Sequence, residues 1–487
     1  MTFKPTDEQI SAIEMSLTNQ SFKIGAFAGT GKTSTLTLIG GALNRKQCLY
    51  LAFNKAIADA SQSKFANNVK CRTFHSLAFR ATPRHITGKI SGERLMPRDL
   101  ARMMSMRNWE VKNSKEKMDV CTTYDQAMIL YRSLECFCRS NSAQITSRHV
   151  AASLPSWIKA DEAAELIQHL TPKVQDLWDM SIGKSSQFRI SHDVYLKHWA
   201  LSKPIIDADA IMFDEAQDAD PIMLSIIRNQ SSQCIYTGDK HQSIYQWRGA
   251  KNAMQSLELP EIKLTQSFRF GSAVADVANI ILSKTLGEQV KIKGNPAIKS
   301  TICSNFSPTA YIVRTNACAL ELATDLIKKG INPNILLDTQ VVHTQVTEIQ
   351  ELMSGKVTDN RKSCMYGFHS WSEVENFVEH NPSTDIAPIV KLVSKNEPSV
   401  IISVIDRIKK IQLDKNHQSD TTITTAHKSK GLEFERAYVH NDFLWNEDDK
   451  PNTPLLEDSE ARLLYVACTR AIEKLDISRL EPLFKKM

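Results

Sequence analysis

Two short stretches carry the residue types needed to hydrolyse a nucleotide. Ala28-Gly29-Thr30-Gly31-Lys32-Thr33 joins an apolar segment, Phe22-Lys23-Ile24-Gly25-Ala26, to a helical pattern through Leu36 and Leu38-Ile39. Glycines at a strand-to-helix junction let backbone N–H groups close around phosphate oxygens at the helix N-terminus. Lys32 would bring a point charge to the β- and γ-phosphates, and the Thr33 hydroxyl could ligate Mg²⁺. Far downstream, the apolar run Ala210-Ile211-Met212-Phe213 ends in Asp214-Glu215-Ala216-Gln217-Asp218. A strand ending in two carboxylates could hold the metal through Asp214 and activate water through Glu215. One position departs from the strict phosphate-loop pattern: Ala26 stands where a glycine is usual, with Gly25 one residue earlier.

Elements able to position these residues alternate along the chain. Strand and helix signals from Phe22 to Phe79, resuming from about Ala208 to Ser256, predict a parallel α/β sheet split by an insertion. The intervening part carries helical patterns at Tyr124 to Cys138 and Ala160 to Trp178, without strand rhythm. A second sheet follows, with a helix at Ala273 to Leu286, strands at Tyr311-Arg314, Thr422-Thr425 and Ala437-Val439, and a helix at Ser459 to Ala471. Helical runs at Ile386 to Val393 and Val400 to Ile411 mark a reduced mixed insertion. The expected layout is a first domain at 1–80 and 202–262, interrupted by 81–201, and a second at 263–333 and 421–487, interrupted by 334–420.

Composition bounds the partners only loosely. With 487 residues, 42% hydrophobic and 23% charged, the chain reads as ordinary globular protein, and its net charge of +6 suits a phosphate backbone without requiring one. No run approaches the roughly 18 apolar residues that span a bilayer, and the start lacks a signal-peptide core, so a cytoplasmic or nuclear, non-membrane protein is expected. Ten cysteines show no C-x-x-C pair, and Cys136-Phe137-Cys138 is too tight for zinc, which favours free thiols.

Further blocks appear in a fixed order: Thr6-Asp7-Glu8-Gln9, Ala52-Phe53-Asn54-Lys55-Ala56, Thr73-Phe74-His75-Ser76, Gly238 to Ala250, Gln266-Ser267-Phe268-Arg269, Thr425 to Phe434, and Leu464 to Ala471. This series resembles superfamily-one helicases of the UvrD/Rep type. His192-Asp193-Val194-Tyr195-Leu196-Lys197, Asp220-Pro221 and Gly367-Phe368-His369-Ser370-Trp371 are similar to the helicase part of the F-box DNA helicase family. Five residues precede Thr6, so a motor without an F-box is expected.

The resemblance implies two RecA-like P-loop NTPase domains clamping ATP and Mg²⁺, and an ATP-dependent helicase or translocase moving 3′ to 5′ on single-stranded DNA. It implies that Arg269 and Arg470 compensate γ-phosphate charge, that Gln242 senses that phosphate, and that Phe268 and Gln9 hold the adenine while Glu433 lies near the ribose. Ser34 replaces an arginine common in relatives. For the DNA track it implies Phe53, Asn54, Lys55, Thr73, His75, Tyr245, Trp247, Arg248 and His427, with aromatic rings as base platforms. His192 reads better as structural. Two rivals stand beside this reading: a translocase that strips recombinase filaments or other proteins from DNA, and a nucleotide-gated subunit working with a partner nuclease. A monomer acting on single strands or junctions is expected.

Overall fold

The structure is a computed structural model that describes residues 4–92, 95, 97–112, 118–155, 157–159, 161–186, 188–244, 253–337, 339–358, 360, 363–380, 386–413, 419–446 and 454–487. Its contacts divide the chain into two units, Met1–Ala26 with Lys32–Leu264, and Phe27–Gly31 with Thr265–Met487.

In the first unit, β1 (Phe22–Ala26), β2 (Cys48–Leu51) and β3 (Val69–Arg72) precede an antiparallel pair, β4 (Trp109–Lys112) and β5 (Met118–Cys121), and β6 (Ala210–Phe213), β7 (Gln233–Gly238) and β8 (Glu261–Leu264) follow. Six of these form one parallel sheet in the order β3-β2-β6-β7-β1-β8. Every residue of β2, β6 and β7 is buried, which is why they read as continuous apolar runs and not as alternating ones. One sheet face packs Ile24, Tyr50, Met212 and Ile235 against Ala12, Leu36 and Ile39 of the helices Asp7–Ser16 and Lys32–Ala42. The opposite face joins Leu51, Ile211 and Phe213 to the core of the insertion, where Leu130, Phe137, Leu166 and Leu170 meet.

Buried lysines close that insertion. Lys197 lies on the helix His192–Leu201 and donates to the carbonyls of Ser140 (2.9 Å) and Ser142 (2.6 Å), just past the helix Thr123–Arg139, while its ammonium sits 4.1 Å from the Phe137 ring centre. Lys89 does the same for the helix Ala164–Ile182 through the carbonyls of Met180 and Ser181, each at 3.0 Å. A cation at carbonyls that have no helical partner completes a helix C-terminus that burial would otherwise leave unsatisfied. Burial lowers the Lys197 pKa to about 8.

The second unit repeats the parallel plan. Its strands are β9 (Thr301–Ile302), β10 (Ala310–Val313), β11 (Asn334–Leu336), β12 (Thr422–Thr425), β13 (Phe434–Val439) and β14 (Ala471–Asp476), in the order β11-β12-β10-β13-β14-β9. Between β11 and β12 lie the helices Thr339–Met353, Trp371–His380, Ala387–Lys395 and Pro398–Leu413, whose apolar faces share a core with the helix Asn316–Lys328. No described helix is long and apolar enough to cross a membrane.

Three elements differ from the sequence reading. The first insertion contains the β4–β5 pair, which buries one residue of each strand, Val111 and Cys121, and leaves Met118 and Val120 exposed, so neither strand shows the alternation that reveals one. Helix Asp458–Cys468 ends before Thr469, and Ala471 opens β14; only Thr469 and Arg470 separate the two elements, with no glycine or proline to mark the break. Asn334–Leu336 pairs with β12 as part of the sheet, too short to show a period.

Candidate active site

In a parallel sheet the strand ends that carry sites all point one way, and ligands gather beyond the carboxyl ends. Pairing of β2 with β6, Tyr50 beside Met212 and Leu51 beside Phe213, delivers Asp214 to the end of the sheet, where its N–H donates to the Leu51 carbonyl at 3.1 Å. Lys32 begins the helix Lys32–Ala42. Its ammonium lies 2.9 Å from Glu215 Oε1, and the Thr33 hydroxyl donates to Asp214 Oδ2 at 3.3 Å. Burial works against the lysine charge, but Glu215, Asp214 and Asp239 outweigh it and raise its pKa. Asp214 is itself raised, by burial first and by Glu215 second.

Glu215 sits in the left-handed region, at φ 52°. A non-glycine residue held there is strained and persists only where its surroundings fix it. Those surroundings include Gln217, whose amide donates to Glu215 Oε2 and, at 3.2 Å, to Asp218 Oδ2. The Gln217 side-chain carbonyl accepts the Asp239 N–H at 3.1 Å, and Asp239 Oδ2 accepts from Gln242 Nε2 at 2.7 Å. A continuous chain of hydrogen bonds thus links Glu215 to Gln242. Gly238 makes it possible, because a Cβ there would fall 2.3 Å from Gln217 Oε1.

Asp214 and Thr33 present hard oxygen donors 3.3 Å apart. That donor set fits Mg²⁺, which takes one or two protein oxygens and fills its octahedron with water and phosphate. Gln9 is fully buried; its side-chain carbonyl accepts the Thr6 N–H at 3.1 Å and its amide donates to Thr35 at 3.0 Å. Ser34 is exposed.

The second unit carries its own set of polar groups. Phe27–Gly31 groups with it: the Phe268 N–H donates to the Gly29 carbonyl at 2.8 Å and the Thr30 hydroxyl to the Phe27 carbonyl at 2.8 Å. The Ala28 N–H donates to the Tyr465 hydroxyl at 3.0 Å. Gly29 and Gly31 have φ of 73° and 74°, which L side chains rarely adopt. Arg269 donates to Glu433 Oε1 at 2.7 Å and to the Thr469 carbonyl at 3.2 Å. Arg470 is almost wholly buried and donates to the carbonyls of Val466 (2.9 Å) and Leu432 (3.3 Å). Burial, with Arg314 and Lys430, lowers the His427 pKa, so this ring is neutral near pH 7.

Of the track residues in the first unit, Phe53 is 48% exposed at the end of β2, and Asn54 and Lys55 are exposed beside it. The side chains of Asn54 and Thr73 cap helices, accepting from the N–H groups of Ile57 and Ser76. His75 meets Asp193 at 3.4 Å, and Asp193 also accepts from Arg139 at 3.0 Å. Phe53, His75, Arg139, Asp193 and Glu215 line one cavity of about 270 Å³. Tyr245, Trp247 and Arg248 lie outside the described residues. Sequence reading assigned no role to Gln217, Asp239, Arg139 or Asp193, though each stands in or near a quoted motif. It passed over Tyr50, whose hydroxyl donates to Asp214 at 2.7 Å, because a tyrosine in an apolar strand carries no signal by itself.

Residues 6–258 match the UvrD/REP helicase N-terminal domain, and residues 371–481 match the UvrD-like helicase C-terminal domain. The chain belongs to the UvrD-like helicase family. It is 28% identical to the F-box DNA helicase 1 of Gallus gallus over 93% of its length and 46% of that protein's. It is 29% identical to the F-box DNA helicase protein 1 of Schizosaccharomyces pombe over 96% of its length and 57% of the relative's. A probable DNA helicase II homolog of Mycoplasma genitalium is 31% identical over 21% of the chain and 16% of that protein. The chain thus spans about half the length of the two F-box helicases.

The hydrogen-bonded chain from Glu215 to Gln242 makes Gly238 a sensitive position. Gly238→Ala should displace Gln217 and lower stability by about 1–3 kcal/mol, the usual cost of overpacking, read as a lower urea midpoint. A midpoint equal to wild type would show that Gln217 is not held as described.

Proposed function

We propose that this chain is an ATP-driven DNA motor that moves along single-stranded DNA, 3′ to 5′, and separates duplex ahead of it. The observation that carries the reading is the sharing of one cavity by Glu215 with Phe53 and His75. A residue placed to activate water stands beside an exposed aromatic ring and an imidazole that could hold a strand. The names of the relatives, DNA helicases, support the same choice of nucleic acid.

Within this reading Lys32 holds the β- and γ-phosphates in place of Glu215, its partner in this structure. Release of that ion pair frees the carboxylate to take a proton from the attacking water. Asp214 and Thr33 would hold Mg²⁺, which neutralises charge on the phosphate oxygens. Gln242 would report the γ-phosphate through Asp239 and Gln217 to Glu215. Arg269 and Arg470 are proposed to stabilise charge developing on the γ-phosphate, Phe268 and Gln9 to hold the adenine, and Glu433 to lie near the ribose. The remaining track residues, Asn54, Lys55, Thr73, Tyr245, Trp247, Arg248 and His427, are proposed to contact the strand; neutral His427 would do so by a hydrogen bond and not as an ion pair.

Substitutions in the hydrolytic group should separate binding from turnover. Lys32→Ala is expected to weaken MgATP binding, whereas Glu215→Gln should keep ATP bound and unhydrolysed. Equilibrium binding of labelled ATP beside a phosphate-release assay distinguishes them, and near-normal turnover in Glu215→Gln would remove the base from its role.

Loss of a stacking platform typically costs about 1–3 kcal/mol per base, roughly ten- to hundred-fold in affinity. Phe53→Ala should therefore raise the single-stranded DNA concentration that half-saturates ATPase by at least about ten-fold, while ATPase without DNA persists. An unchanged DNA requirement would take Phe53 out of the track.

Strand displacement from duplexes with a single 3′ or 5′ tail tests the motor itself. Unwinding of the 3′-tailed substrate is expected. Preference for the 5′ tail would reverse the polarity, and displacement of a bound protein without unwinding would favour a strand-clearing translocase.

A further inference from the structure

Strand β2 carries a polar atom that none of the roles above uses. Tyr50 is fully buried, its ring packed at 4.7 Å between centres against Phe65, and its hydroxyl lies 2.7 Å from Asp214 Oδ2. That same oxygen accepts from the Thr33 hydroxyl, while Asp214 Oδ1 accepts the Glu215 N–H at 2.9 Å. A phenol has one proton to give. Ser61, on the helix Lys55–Gln62, is a second polar neighbour of the Tyr50 hydroxyl.

Asp214 stands in an unfavourable place for a carboxylate, buried and next to Glu215. Lys32 offsets some of that repulsion, but its ammonium is engaged by Glu215 at 2.9 Å and would turn to phosphate when nucleotide binds. A neutral donor fixed in the sheet is not lost at that moment. Groups that orient a metal-binding carboxylate commonly change metal affinity 10–100-fold when removed.

We propose that Tyr50 is a positioning residue for the metal, holding the Asp214 carboxylate turned to receive Mg²⁺ with bound nucleotide. This rests on the assignment of Asp214 as the residue that holds the metal. Tyr50 touches neither nucleotide nor metal in this account; it acts through Asp214 alone.

Tyr50→Phe removes the hydroxyl and keeps the ring. The test is Mn²⁺ affinity, measured by electron paramagnetic resonance on the full chain with saturating ADP, in wild type, Tyr50→Phe, Ser61→Ala and Asp214→Asn, with a thermal melt of each. Tyr50→Phe should weaken Mn²⁺ binding about ten-fold without lowering the metal-free melting temperature, and excess Mg²⁺ should restore kcat. Ser61→Ala, which leaves Tyr50 in place, should move the affinity the same way by about two- to three-fold and decides the matter if Tyr50→Phe is unstable. Wild-type affinity in Tyr50→Phe together with lost affinity in Asp214→Asn would overturn the role of Tyr50 alone. Wild-type affinity in both would overturn the assignment of Asp214 as well.

Discussion

Three carboxylates, Asp214, Glu215 and Asp239, crowd around one ammonium, and everything else at the first site follows from keeping them there. Like charges at such separations repel strongly once water is excluded. A parallel sheet is what can impose the crowding, because β6 and β7 are neighbours and both end on the same edge, beside the start of the helix that carries Lys32. The repulsion is then offset by separate donors: Lys32 and Gln217 for Glu215, Tyr50 and Thr33 for Asp214, the Gln242 amide and the His241 N–H for Asp239. An arrangement in which each anion has its own donor can lose one donor to a ligand without collapsing. That property is what a site needs if its lysine must pass from a carboxylate to a phosphate.

The second unit also builds on a parallel sheet, with its strands in another order. β10 leads into Arg314, whose guanidinium pairs with Glu460 at 2.7 Å and whose N–H is accepted by Asp442 at 2.9 Å. β12 leads through Ala426 to His427. Arg269 lies in the same unit and pairs with Glu433 at 2.7 Å, so each of these two arginines has a carboxylate partner. Two parallel sheets of different strand order thus differ at their edges: three carboxylates gather around one lysine in the first, whereas arginines stand in pairs with single carboxylates in the second.

Much of this was legible in the sequence because the elements with chemistry are also those with the clearest patterns. Buried strands such as Ala210–Phe213 and Thr422–Thr425 end abruptly in polar residues, and that change of character marks both the strand end and the site. Lys32, Thr33, Asp214 and Glu215 come together as their spacing on strand ends requires. What stayed hidden lacked such a pattern. Tyr50 looks like one more apolar residue of β2 until its partner across the sheet is known. Gln217 and Asp239 stood inside recognisable blocks, yet their link depends on the absence of a side chain at Gly238, which no periodicity reports. The β4–β5 pair escaped because a strand that buries a single residue has no alternation to read, and the local partners of Arg269 and Arg470 could not be read from a motif alone.

The central claim is that one site couples nucleotide hydrolysis to a bound strand. Steady-state ATP hydrolysis with and without single-stranded DNA, at saturating Mg²⁺, tests it most directly. The account predicts slow hydrolysis alone, stimulation of about ten-fold or more by DNA, and loss of both in Lys32→Ala. Hydrolysis that proceeds at one rate whether or not DNA is present would contradict it.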